Sequence, residues 1–217
     1  MPYKNVLFDL DGTLTDPYPG MAKSLRYALD KFGIVEDNAE KIRQLIGPPL
    51  YRSFIDVYGF DESKAKMAVG YYREYYSDTG LYENKLYDDV DNMLKTLKGM
   101  GKTCVIATSK PQDFAQEVLR YFEIGGYFDE VVGSNLEGAF YEKADIIKFA
   151  IEKRGLNKAE TVMVGDRKYD ILGARKNGID SIAVAYGYGT MEELEESKPM
   201  RICENVMDIV EAVRGSG

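Results

Sequence analysis

Two aspartates one residue apart, Asp9 and Asp11, close the apolar run Val6-Leu7-Phe8 and are followed at once by Gly12-Thr13. Successive side chains on a regular strand point to opposite faces, so an Asp-x-Asp pair in strand geometry separates its carboxylates. They can serve one site only where the strand ends and the backbone twists, a bend that Gly12 permits. Two acids at the carboxyl end of a buried strand are costly unless a cation or a reacting group lies between them. Magnesium and phosphate chemistry give such a pair a reason to exist.

Other segments offer complementary groups. Cys104-Val105-Ile106-Ala107 runs into Thr108-Ser109-Lys110, and Thr161-Val162-Met163-Val164 runs into Gly165-Asp166-Arg167-Lys168-Tyr169-Asp170. Lys143 opens a helix between them. If these strands neighbour the first, one rim holds four aspartates, a hydroxyl and at least one ammonium. Asp166 and Asp170 fall a helical turn apart, so both can face that rim. Each residue also has an ordinary alternative. Thr108 can cap a helix before Pro111, Asp170 can be a helix N-terminal charge, and Lys148 stands as a second lysine near Lys143.

The elements that must position these residues alternate. Strands are expected at 4–9, 103–107, 130–132, 161–164 and 181–185. Helices are expected at 90–100, 112–122, 143–154 and 169–177, with Thr190-Met191-Glu192-Glu193 opening another through a capping box. Such alternation implies parallel βαβ units in a doubly wound α/β sheet. Between Asp16 and about Tyr82 the pattern is wholly helical, with stripes such as Met21, Leu25, Ala28, Leu29 and Phe32. The strand at 4–9 needs the sheet that follows residue 85, so the helical block is an insertion. Its tip is expected above the strand ends, where open α/β sheets bind ligands.

Composition narrows the chemistry. The 217 residues suit one domain, or one domain carrying a modest insertion. Thirty-six acids against 28 bases give a net charge of -8, which argues against a nucleic-acid backbone as partner. No apolar run approaches membrane-spanning length and the start lacks the layout of a signal peptide, so a cytoplasmic protein is expected. Cys104 and Cys203 read as reduced structural thiols. Histidine is absent, which excludes a Ser-His-Asp triad, a histidine phosphoenzyme and His-ligated zinc.

Taken in order, these segments resemble the haloacid dehalogenase superfamily of phosphatases, over essentially the whole chain. Asp9-Leu10-Asp11-Gly12-Thr13 is similar to the first signature, Thr108 to the second, Lys143 to the third and Gly165-Asp166…Asp170 to the fourth. The family often has Lys-Pro at the third, where this chain has Lys143-Ala144. The resemblance implies a Rossmann-like core of residues 1–15 and 83–217 with an all-α cap at 16–82. It implies that Asp9 attacks phosphorus and that Asp11 protonates the leaving group. It further implies one Mg2+ bound by Asp9, the Asp11 backbone carbonyl and Asp166, with Asp170 holding the metal or its waters. Thr108, Ser109 and Lys143 then bind the phosphoryl group.

In the cap, Ile46-Gly47-Pro48-Pro49-Leu50 reads as a helix–helix corner and resembles the family's substrate loop, which makes Gly47 and nearby Arg52 candidate contacts. Gly165 to Asp170, Asn177-Gly178-Ile179-Asp180 and Ala185-Tyr186-Gly187-Tyr188-Gly189 resemble phosphoglycolate phosphatase-like and 5'-nucleotidase-like members. The expected partner is a small phosphorylated metabolite of either type, with no nucleic acid or membrane involved, for a monomer or homodimer. A phosphomutase and a phospho-accepting signalling module are the alternatives.

Overall fold

The computed structural model describes residues 3–48, 50–135 and 142–215. The chain divides into two compact units, Met1–Thr15 with Leu86–Gly217, and Asp16–Lys85. The strands are β1 (Asn5–Phe8), β2 (Thr15–Asp16), β3 (Lys85–Leu86), β4 (Thr103–Pro111), β5 (Glu130–Ser134), β6 (Thr161–Gly165), β7 (Asp180–Val184) and β8 (Arg201–Cys203).

The inserted unit is helical: α1 (Tyr18–Asp30), α2 (Ala39–Gln44), α3 (Leu50–Tyr58) and α4 (Glu62–Tyr75), closed by a π-helical turn at Tyr76–Gly80. Asn38 and Asp61 cap α2 and α4 by accepting from the amides of Lys41 and Lys64. Leu25, Ala28 and Leu29 of α1 are buried, as are Phe54 of α3 and Ala65, Ala68 and Tyr72 of α4. Tyr72 and Tyr76 stack with centroids 5.3 Å apart, so these tyrosines pack the unit's interior.

The larger unit carries α5 (Val90–Gly99), α6 (Gln112–Tyr121), α7 (Lys143–Arg154), α8 (Lys168–Asn177), α9 (Met191–Ser197) and α10 (Asp208–Arg214). Its six strands run parallel in the order β5-β4-β1-β6-β7-β8. Every residue of β1 is buried, as expected of a parallel strand covered on both faces. Leu7, Val105, Ala107 and Met163 face Ile146, Ile147 and Ala150 of α7 and Ala174 of α8. This is the doubly wound arrangement that the alternating pattern implied.

Three details depart from expectation. β4 does not end at Ala107 but continues to Pro111, where it pairs with Ser134 after a register shift. Thr108 therefore lies in the strand, and α6 starts from Pro111 without a side-chain cap. β8 and α10, at the carboxyl end of the chain, were not anticipated. Both cysteines are free and buried, and burial raises Cys104 to about 12 and Cys203 to about 11. Among the described residues no helix is long and apolar enough to cross a membrane.

Candidate active site

β1 lies between β4 and β6 with Phe8 level with Ile106 on one side and Val164 on the other. That register brings the residues following Phe8 beside the carboxyl ends of both neighbours. β1 ends at Phe8, the Asp9 amide still donates to the Val164 carbonyl, and the chain then turns through Gly12 at φ 84°. A side chain on Gly12 would strike the Asp166 carboxylate, so this position takes glycine on both conformational and steric grounds.

Three acids meet at that edge. Asp9, Asp166 and Asp170 are buried, and each can offer an oxygen within 4.8 Å of the others. Lys143, the first residue of α7, points its ammonium at Asp9 Oδ1 (2.8 Å) and Asp170 Oδ1 (2.9 Å). It donates a hydrogen bond to the Ala107 carbonyl at 3.0 Å. Both contacts are ion pairs at hydrogen-bonding distance. Asn177 holds α7 to α8 by donating to the Ala144 carbonyl at 2.8 Å, which seats the turn that carries Lys143. The other oxygen of Asp170 accepts from the Arg167 amide at 3.1 Å, tying this acid to the start of α8. Lys148 is elsewhere, on the exposed side of α7 beside Glu152.

The charges do not cancel. Burial raises Asp166 well above the ordinary carboxylate range, and the neighbouring Asp170 and Asp9 charges add to it. Burial also raises Asp170, against the opposing pull of Lys143. Burial disfavours the Lys143 ammonium, yet Asp170 and Asp9 outweigh it and hold the lysine above its usual value. Three buried carboxyl groups against one ammonium leave the cluster short of positive charge. Hard oxygen donors, buried and crowded, fit a divalent ion such as Mg2+.

The second aspartate of the opening motif joins a different partner. Asp11 Oδ2 pairs with Lys110 Nζ at 2.6 Å, and both side chains are largely buried. Its side chain lies outside the three-acid group. Thr108 is buried, and its hydroxyl accepts from the Lys110 amide at 3.2 Å. Ser109 is partly buried, its carbonyl accepting from the Ser134 hydroxyl. In the inserted unit, Gly47 adopts φ 105° between α2 and α3, and Arg52 is exposed on α3. Pro49 of the same corner lies outside the described residues.

Three further contributors were missed. Nothing local marks Lys110, because its pairing with Asp11 spans 99 positions. Thr13 donates to Asp166 Oδ1 at 3.2 Å, and the Tyr188 amide donates to Asp166 Oδ2 at 2.9 Å. The Tyr-Gly-Tyr-Gly phrase at 186–189 was the available signal for the last of these.

Residues 6–184 match the family model of haloacid dehalogenase-like hydrolases. A 5'-nucleotidase of Pseudomonas aeruginosa is 43% identical over 204 residues, covering 94% of this chain and 92% of its own. A phosphoglycolate phosphatase of Aliivibrio fischeri is 30% identical over 204 residues, covering 90% of each chain. The crystal structure of a predicted phosphatase from Clostridium acetobutylicum is 42% identical, with a TM-score of 0.95 over 98% of this chain and 99% of the other.

Proposed function

The chain belongs to the haloacid dehalogenase-like hydrolases and is a phosphatase of that family; we propose that it cleaves small phosphomonoesters through a phosphorylated Asp9. The observation that carries this reading is Asp9 itself, a buried carboxylate facing one ammonium and two further acids at a strand end. A carboxylate so placed is a phosphoryl-accepting nucleophile.

Asp9 attacks phosphorus, the bond to the leaving oxygen breaks, and Asp11 supplies the proton that the departing alkoxide needs. Water then attacks the phosphorus of the aspartyl phosphate. Asp11 takes the proton from that water, Asp9 is restored, and inorganic phosphate leaves. Lys143 offsets charge on the transferring oxygens, and the Thr108 hydroxyl and Ser109 bind the same group. Lys110 holds the Asp11 carboxylate through its ion pair. Asp9, Asp166 and the Asp11 backbone carbonyl would hold Mg2+, with Asp170 beside it. When bound, the ion supplies positive charge that lets a carboxylate approach a phosphate dianion.

On this reading the inserted helices form a cap domain that selects the substrate, with Gly47 and Arg52 as its candidate contacts. The substrate class is a small metabolite of the phosphoglycolate or nucleoside 5'-monophosphate type. The protein works in the cytoplasm as a monomer or homodimer, without nucleic acid or membrane. A panel of phosphoglycolate, nucleoside monophosphates, sugar phosphates and phosphotyrosine, ranked by kcat/KM, tests it. Phosphate release without a sugar bisphosphate activator is expected. Release only with such an activator would favour a phosphomutase, and a stable phosphoprotein without release would favour a signalling module.

A further inference from the structure

We propose that the turn Tyr186–Gly189 positions Asp166 for metal binding, and that the Tyr186 hydroxyl tunes metal affinity from outside the donor set. The inference rests on the reading above, in which Asp166 holds Mg2+.

The turn reaches Asp166 by two routes. Directly, the Tyr188 amide donates to Asp166 Oδ2 at 2.9 Å. Indirectly, the Tyr186 hydroxyl donates to the Thr13 carbonyl at 2.9 Å, and the Thr13 hydroxyl donates to Asp166 Oδ1 at 3.2 Å. Both carboxylate oxygens are thus tied, and one turn governs both ties. The Tyr186 ring is itself held edge-on by Tyr87, with centroids 4.9 Å apart.

Packing closes the arrangement. A Cβ on Gly187 would stand 2.3 Å from Asp166 Cβ and 2.4 Å from the Gly12 carbonyl oxygen, so no side chain fits. The turn is therefore seated on the acid and on the loop that follows Asp9. A carboxylate fixed in one rotamer presents the same lone pairs to a cation each time and loses less freedom on binding. None of Tyr186, Gly187 or Tyr188 belongs to the acid cluster itself.

Tyr186→Phe keeps the ring and its packing on Tyr87 and removes only the hydroxyl. Calorimetric titration of Mg2+ into the full-length protein, without substrate, should show a dissociation constant raised about tenfold, in line with the loss of a partner that orients a metal ligand. Any turnover lost in this variant should return as Mg2+ is raised, and its melting temperature without metal should stay near that of the wild type. Asp166→Ala serves as the reference and should bind no Mg2+ at the same concentrations. Wild-type affinity in Tyr186→Phe would overturn the inference, as would a turnover loss that added Mg2+ leaves untouched. Failure of the underlying reading looks different: the wild type itself would take up no Mg2+, or Asp166→Ala would bind like the wild type.

Discussion

Each unit of this molecule buries an acid, and Glu36 of the insertion and Asp166 of the larger unit are treated oppositely. In the helical insertion, Glu36 pairs with the Lys41 ammonium at 2.6 Å and accepts from the Tyr58 hydroxyl and the Asn38 amide. The hydrogen bond from Lys41 holds its carboxyl below the ordinary value against the cost of burial. At the sheet edge, Asp166 is fully buried and, among the described residues, has no ion-pair partner. Burial and two neighbouring acids push it upward. Glu36 is a balanced structural acid. Asp166 is an acid left unbalanced among the described residues, as the proposed cation site would require.

The largest expected effect separates chemistry from folding. Asp9→Asn should lower turnover by more than about a thousandfold while the melting transition persists, because on the proposed mechanism the group that forms the covalent intermediate has no substitute. Substantial remaining hydrolysis would show that another residue is the nucleophile. Chelation comes next: EDTA should silence the enzyme and added Mg2+ restore it, and indifference to chelation would remove the ion from the account. Lys143→Met should cost roughly a hundredfold or more in kcat. Lys148→Met, on the exposed side of the same helix, should leave kcat unchanged, and equal losses in the two would erase the distinction between the lysines.

Smaller effects sharpen the contrast between the two acids. Asp166→Asn removes an uncompensated buried charge, so the metal-free protein should gain about 1 kcal/mol or more in stability while losing Mg2+ binding. Glu36→Gln should cost about 1 kcal/mol, since Lys41 is partly exposed and its pair is screened. Denaturant unfolding of both variants without metal checks the opposite signs.

The pH dependence carries the same opposition. The folded Asp166 binds its proton more tightly than the unfolded chain does, so its contribution to stability is lost as pH rises from about 4 through its folded value. Glu36 contributes stability above its unfolded value of about 4, and that is lost as pH falls through its lowered folded value. Metal-free wild type should therefore become less stable toward neutral pH over a range where Asp166→Asn is flatter, and saturating Mg2+ should remove that decline. A metal-free wild type whose stability tracked Asp166→Asn across this range would contradict the sign.

Much of this site was legible because its acids sit where apolar runs stop. Val6-Leu7-Phe8 and Val162-Met163-Val164 are continuous hydrophobic runs, as parallel buried strands require, and the acids after them mark the strand ends. Placement bears on the ordinary alternatives: Thr108 lies in a strand instead of capping a helix, and Lys148 is exposed beside Glu152. What stayed hidden depends on contacts between distant segments. The Asp11–Lys110 pair, the Thr13 tie to Asp166 and the reach of the 186–189 turn carry no local periodicity. The final helix α10 is no shorter than α9 but lacks a capping residue like Thr190, although Ile209, Val210 and Val213 do share a buried side.

The most direct test asks whether Asp9 becomes phosphorylated. Asp11→Asn should slow hydrolysis of the intermediate, and p-nitrophenyl phosphate offers a leaving group that needs no proton to depart. Peptide mass spectrometry after acid quenching should place one phosphoryl group on Asp9, dependent on Mg2+ and absent from the Asp9→Asn, Asp11→Asn double variant. Nitrophenol released in quantity with the phosphoryl group on another residue, or on none, would contradict the account.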